Sequence, residues 1–95
     1  MKIEFSQKAY YALEHMAEYI YEKSRSKRVT FIYIQKIREF IVSMLSSFPK
    51  AGRPAEEFGE GIRKLVYQRY SILYKILDDE HIVILTIYRE NLPNV

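Results

Sequence analysis

Four side chains have the chemistry to work on a phosphodiester. Arg53, Arg63 and Arg89 could contact phosphate, and Tyr88 could serve as a base. Cleaving RNA needs a group to activate the ribose 2′-hydroxyl, a group to protonate the leaving oxygen, and cations for the charged phosphorane. Tyr88 would fill the first role only if neighbouring arginines lowered its pKa from about 10. Each of the four also has a plainer role: Arg53 pinning a loop, Arg63 as an exposed strand charge, Arg89 as a strand-end charge, Tyr88 in strand packing. No histidine joins them. His15 falls on the polar face of a helix and His81 beside an acidic turn, and both are expected in solvent. Two histidines so far apart, with acids only at turns and on one helix face, give no metal-ligand spacing. Gly59-Glu60-Gly61 is too short to cradle phosphate and leads into a strand. The acid–base set is incomplete, which favours a protein acting by binding, without metal or cofactor, over an enzyme.

Positioning these residues falls to elements that the periodicity outlines. Lys2 to Phe5 alternates polar and apolar and is followed by Ser6, a good N-cap, which predicts a short strand turning into a helix. Ala9, Leu13, Met16, Ala17, Ile20 and Tyr21 then recur at helical spacing, to about Lys23. After a polar link from Ser24 to Arg28, a second stripe of Ile34, Ile37, Ile41, Leu45 and Phe48 is ended by Pro49. Helices so briefly joined must pack antiparallel. Lys50 to Gly61 reads as a loop with one helical turn at Ala55 to Phe58. Ile62 to Tyr67, Tyr70 to Leu77 and Ile82 to Tyr88, rich in β-branched and aromatic residues, read as three antiparallel strands. The predicted fold class is α+β: a short N-terminal strand, an antiparallel helical hairpin, then a three-stranded antiparallel meander. The first strand should lie against one of the last three, because four residues alone have no stability.

With 95 residues the chain has room for one domain, residues 1–95. The absence of cysteine excludes a disulfide framework and thiolate chemistry and fits a reducing cytoplasm. Neither a signal-peptide core nor a membrane-length apolar run is present, so a cytoplasmic protein without membrane contact is expected. The net charge of +3 is modest, but it is unevenly spread. Arg63, Lys64, Arg69 and Lys75 lie in a stretch without acids, while Glu14, Glu18 and Glu22 mark the first helix.

Both faces of the predicted sheet carry apolar side chains, and two helices can cover only one. Strict alternation sends Ile72, Tyr74 and Ile76 one way and Leu73 and Leu77 the other. It also sets Val83, Leu85 and Ile87 against Ile82 and Ile84. An exposed apolar patch is therefore expected, the usual mark of an interaction surface, unless the tail from Glu90 to Val95 folds over it. Ile32, opposite the buried stripe of the second helix, should be exposed, and Lys27-Arg28 should be solvated charge or a site for an acidic partner.

Phe48-Pro49-Lys50-Ala51-Gly52-Arg53, Gly61-Ile62-Arg63-Lys64-Leu65-Val66, Tyr70-Ser71-Ile72-Leu73-Tyr74-Lys75-Ile76 and Ile82-Val83-Ile84-Leu85-Thr86-Ile87-Tyr88-Arg89 stand in this order over nearly the whole chain. As a set they resemble the ParE branch of the RelE/ParE toxins of type II toxin–antitoxin systems. The resemblance implies a toxin neutralised by an antitoxin encoded beside it, whose C-terminal segment fills the groove between hairpin and sheet. Leu65, Tyr67, Leu73 and Leu85 are the expected antitoxin contacts. ParE-type toxins are associated with DNA gyrase, which makes Arg89, Glu90, Asn91 and Leu92 the expected target contacts and ties operator DNA to the toxin only through the antitoxin. RelE-type relatives cut ribosome-bound messenger RNA, the alternative activity; a weakly toxic chain that only binds its antitoxin is another. The ParE pattern commonly ends in a histidine and an arginine, and nuclease relatives carry a histidine near the same place. Here the segment reads Thr86-Ile87-Tyr88-Arg89-Glu90.

Overall fold

The structure, a computed structural model, describes residues 1–90. Its elements are β1 (Lys2–Phe5), α1 (Gln7–Ser24), α2 (Lys27–Ser47), β2 (Arg53–Pro54), a 3-10 turn (Glu56–Phe58), β3 (Ile62–Tyr67), β4 (Tyr70–Asp78) and β5 (His81–Arg89). The strands form one sheet in the order β1-β5-β4-β3-β2, in which β1 runs parallel to β5 and every other pairing is antiparallel. The α+β class and the meander match the reading of the sequence, and the first strand does pair with the last. The two-residue β2 is an addition. It leaves the loop after α2 to pair with β3, with Arg53 opposite Lys64.

Serines start both helices. Ser6 accepts from the backbone N–H of Ala9 (3.0 Å) and donates to the carbonyl of Leu85 (2.8 Å), so one side chain caps α1 and ties it to β5. Ser26 caps α2 by accepting from Val29 (3.1 Å). The link between the helices is just Arg25 and Ser26, with Arg25 left-handed at φ 56°, so that Lys27 and Arg28 open α2. Lys27 and Arg28 are therefore helical, exposed residues.

Ala9, Leu13 and Met16 of α1 and Ile37, Ile41 and Leu45 of α2 bury most of the predicted stripes against the sheet. Tyr21, at the end of the first, is exposed because the sheet does not reach the last turn of α1. Phe48, placed at the end of the second stripe, is instead 64% exposed, because Pro49 turns the chain away there. Ile32 is exposed as expected.

The sheet departs from strict alternation at one point that matters. Tyr74 pairs with Ile84 and Leu73 with Thr86, so Leu85 is an extra residue, a β-bulge. The inserted residue shifts the parity, and Ile87 joins Ile82 and Ile84 under the helices instead of facing away from them. Register settles the neighbouring strands: Leu65 sits opposite Ile72, and Lys64 opposite Leu73. Directly opposed residues share a face. Leu65 and Tyr67 therefore pack beneath the hairpin, the Tyr67 ring 4.6 Å from that of Phe40.

Candidate functional site

The outer face of the sheet, away from the helices, is not a bare apolar patch. Phe58, in the 3-10 turn that follows β2, lies with its ring 6.2 Å from that of Tyr88 on β5. To make that contact the loop has to cross β3 and β4, and Leu73 beneath is only 6% exposed. Beside it runs a polar cluster invisible to periodicity: Glu90 accepts from the Lys64 ammonium and from the hydroxyl of Ser71 (2.8 Å), which is itself fully buried. The Lys64 hydrogen bond, then that from Ser71, holds the Glu90 carboxyl below the usual carboxylate range, and Glu90 in turn raises the Lys64 ammonium.

This pair gives the chain a predictable acid response. A carboxyl depressed in the folded state contributes stability above its unfolded pKa of about 4.3, and that contribution is lost as pH falls through the folded value. Glu90→Gln should therefore be slightly less stable than the parent at neutral pH, and the two should converge in acid. Urea midpoints at both pH values check this; a gap that persists in acid would show that the charge is not its source.

The residues with phosphodiester chemistry are divided between the two faces. Arg53, opposite Lys64, and Tyr88 belong to the outer face. Arg63 and Arg89 belong to the helical side, and they pair with Tyr74 and Tyr70, four residues apart on β4. The structural roles of the first two arginines are exchanged relative to expectation. Arg63 donates to the carbonyls of Gly52 (2.9 Å) and Lys50 (3.3 Å) and so pins the loop, whereas Arg53 is an exposed charge 3.6 Å from Glu57. His15 is exposed, but His81 is largely shielded, with Nε2 3.7 Å from Glu4 of β1. Among the described residues no group of three or more His, Cys, Asp or Glu could hold a metal.

The four side chains expected to meet an antitoxin do not make one surface. Leu65 and Tyr67 are in the helical core, Leu73 is covered on the opposite face, and Leu85 occupies the bulge, half-buried. Of the expected target contacts, Arg89 and Glu90 diverge to opposite faces, while Asn91 and Leu92 lie outside the described residues.

A groove does exist between hairpin and sheet. It opens between α1 and the end of β5, with a volume of about 440 Å³, and is lined chiefly by Tyr11, Ala12, Met16, Tyr19, Ile87 and Tyr88. Two features make it. The partner strand β1 ends at Phe5, opposite Ile84, so β5 continues past it from Leu85 to Arg89 with no strand on that side among the described residues. The bulge falls where that edge begins. Tyr11 and Tyr19 on the rim are 53% and 40% exposed. Its signal in the sequence was the run of α1 tyrosines, which alternation along the strands does not register.

No curated protein matches the chain. Among solved structures it is similar to a chain of the chromosomal ParDE toxin–antitoxin system from P. aeruginosa, with a TM-score of 0.78, 25% identity and coverage of 96% of this chain and 97% of that one. It is also similar to a chain of the toxin–antitoxin complex RelBE2 from Mycobacterium tuberculosis, with a TM-score of 0.66, 25% identity and coverage of 94% and 96%. The family model described as the ParE toxin of the type II toxin–antitoxin system parDE matches residues 3–91, and the strand, hairpin and meander above span the same residues. The chain belongs to the ParE toxin family of type II toxin–antitoxin systems.

Proposed function

We propose that this toxin is held inactive by a cognate antitoxin whose C-terminal segment lies in the groove between α1 and β5, and that, once released, it acts in the cytoplasm by binding and inhibiting DNA gyrase. The groove carries the first half of the proposal. It joins exposed aromatic surface to an unpaired strand edge, and an extended peptide can satisfy both at once. The similar structures from P. aeruginosa and M. tuberculosis come from a toxin–antitoxin system and a toxin–antitoxin complex. The contact set thus moves from Leu65, Tyr67 and Leu73 to the groove, with Leu85 at its start. Membership of the ParE family supports gyrase as the target, and the division of Arg63 and Arg89 from Tyr88 supports binding over RNA cleavage.

Ala12→Arg places a long cation in the groove from a half-buried position on α1. Affinity for the co-encoded antitoxin should fall at least about tenfold, about 1.4 kcal/mol, while Gln35→Ala on the exposed side of α2 leaves it unchanged. The same purified toxin should block supercoiling by gyrase and leave ribosome-bound messages whole in primer extension. Message cuts that vanish on Tyr88→Phe, with gyrase unaffected, would establish the nuclease reading instead.

A further inference from the structure

Next to the groove, but facing the turn between β3 and β4, lies a second cavity of about 500 Å³ with a different character. Its cations come from three elements: Lys23 from the last turn of α1, Arg69 from the β3–β4 turn, and Arg89 from the end of β5. Its aromatic lining is Tyr19, Tyr33 and Tyr70. The Arg89 guanidinium stands 4.7 Å and the Lys23 ammonium 5.6 Å from the centre of the same Tyr19 ring. Among the described residues no carboxylate forms an ion pair with Lys23, Arg69 or Arg89, as with most of the other lysines and arginines.

Like charges gathered on one ring repel each other. An anion entering between them is attracted by all three, and an aromatic ring beside it offers a face for stacking. Simple carboxylates use the first feature but not the second; a nucleotide uses both. We propose that Lys23, Arg69 and Arg89 form the phosphate pocket of a nucleotide-binding site in which Tyr19 is the stacking platform for the base. The cavity is within the range that holds a ligand of that size. The supporting electrostatics agree: hydrogen bonding to Arg89, followed by the fields of Arg89, Lys23 and Arg69, lowers the Tyr19 hydroxyl from its ordinary value. Tyr33, whose hydroxyl donates to Gln68 of the same turn, and Tyr70, edge-on to Tyr33 at 6.4 Å, form the back wall. The site involves neither the outer-face Tyr88 nor Arg63 and implies no cleavage. It stands whether or not gyrase is the target.

The nucleotide could be free or one unit of a single strand, and two probes separate these sources. The full-length chain is titrated with ATP by calorimetry, and with end-labelled oligo(dT) and oligo(U) by fluorescence anisotropy at rising salt. Binding of ATP identifies a free nucleotide as sufficient; binding of the oligonucleotides alone identifies a strand. In the strand case the logarithm of affinity should fall with that of salt at a slope of about −2, since three cations each contribute about 0.7. Arg69→Ala and Lys23→Ala, both at exposed positions, should each remove about 0.7 of that slope. Together they should weaken either probe at least tenfold, whereas Arg69→Lys should retain the slope. Tyr19→Leu should weaken binding severalfold, and Tyr19→Phe should not. Lys50→Ala, in the loop at the far end of the sheet, should change nothing. The proposal is overturned if neither probe binds or if binding is indifferent to Arg69 and Lys23. It is equally overturned if a glutamate-rich peptide displaces the probe while Tyr19→Leu has no effect, an outcome that would assign the pocket to an acidic peptide.

Discussion

Tyr74→Ala should lower the unfolding free energy by about 3–5 kcal/mol, the usual range for deleting a large buried aromatic side chain. Tyr74 is the largest fully buried side chain, at the centre of the sheet, and its hydroxyl joins two structures. It donates to the carbonyl of Pro49 (2.8 Å) and accepts from the backbone N–H of Gly52 (2.9 Å). The loop that leads from α2 back into the sheet is therefore held by this phenol together with the Arg63 guanidinium. Tyr74→Phe keeps the ring and orphans both backbone groups, so it should cost less, about 1–3 kcal/mol. Urea denaturation of the three proteins decides the matter. If phenylalanine were neutral, the hydroxyl would not be holding the loop; if it were as damaging as alanine, the ring's packing would contribute nothing.

The second large effect is expected from Gly52→Val. A Cβ at residue 52 would stand 2.7 Å from the carbonyl oxygen of Lys64 and 2.8 Å from Cε1 of Tyr74. The first neighbour is strand backbone and cannot swing aside, so the loop has to leave the sheet and forfeit the Tyr74 and Arg63 bonds with it. A loss of about 3 kcal/mol or more is expected, at the upper end of overpacking costs. In a Tyr74→Ala background the added loss should be smaller but not zero, because one of the two obstructions is gone and the Lys64 carbonyl remains. Equal losses in both backgrounds, read from the same denaturation curves, would show that Tyr74 is no part of the obstacle.

The elements were legible because each has its own period. The stripes of α1 and α2 and the β-branched runs after Gly61 come from local rules, and so does the capping Ser6. Which face each strand residue would occupy was legible only as far as alternation holds. Leu85 breaks it, and a bulge has no signature in residue type. Ile87, downstream of that position, changed sides. The face of Leu65 was open for a related reason: a strand alone does not reveal which partner residue it will oppose, and its pairing with Ile72 puts it under the helices. Contacts between remote positions were the least legible of all. Nothing near Ser71 or Lys64 in sequence announces Glu90, and nothing near Gly52 announces Tyr74.

The parallel pairing of β1 with β5 also orders events in time. Lys2 to Phe5 can find a strand partner only in His81 to Ile84, and the Ser6 side chain that caps α1 reaches a carbonyl 79 residues further on. Contacts of such long range close late, since the loop entropy must be met before they reward it. During synthesis the hairpin of α1 and α2 emerges first, yet its buried stripe is not fully covered until the final strand has left the ribosome. The groove between α1 and β5 cannot exist before that moment either. A ribosome that stops short of the last strand releases a chain with no finished surface for an antitoxin to cover.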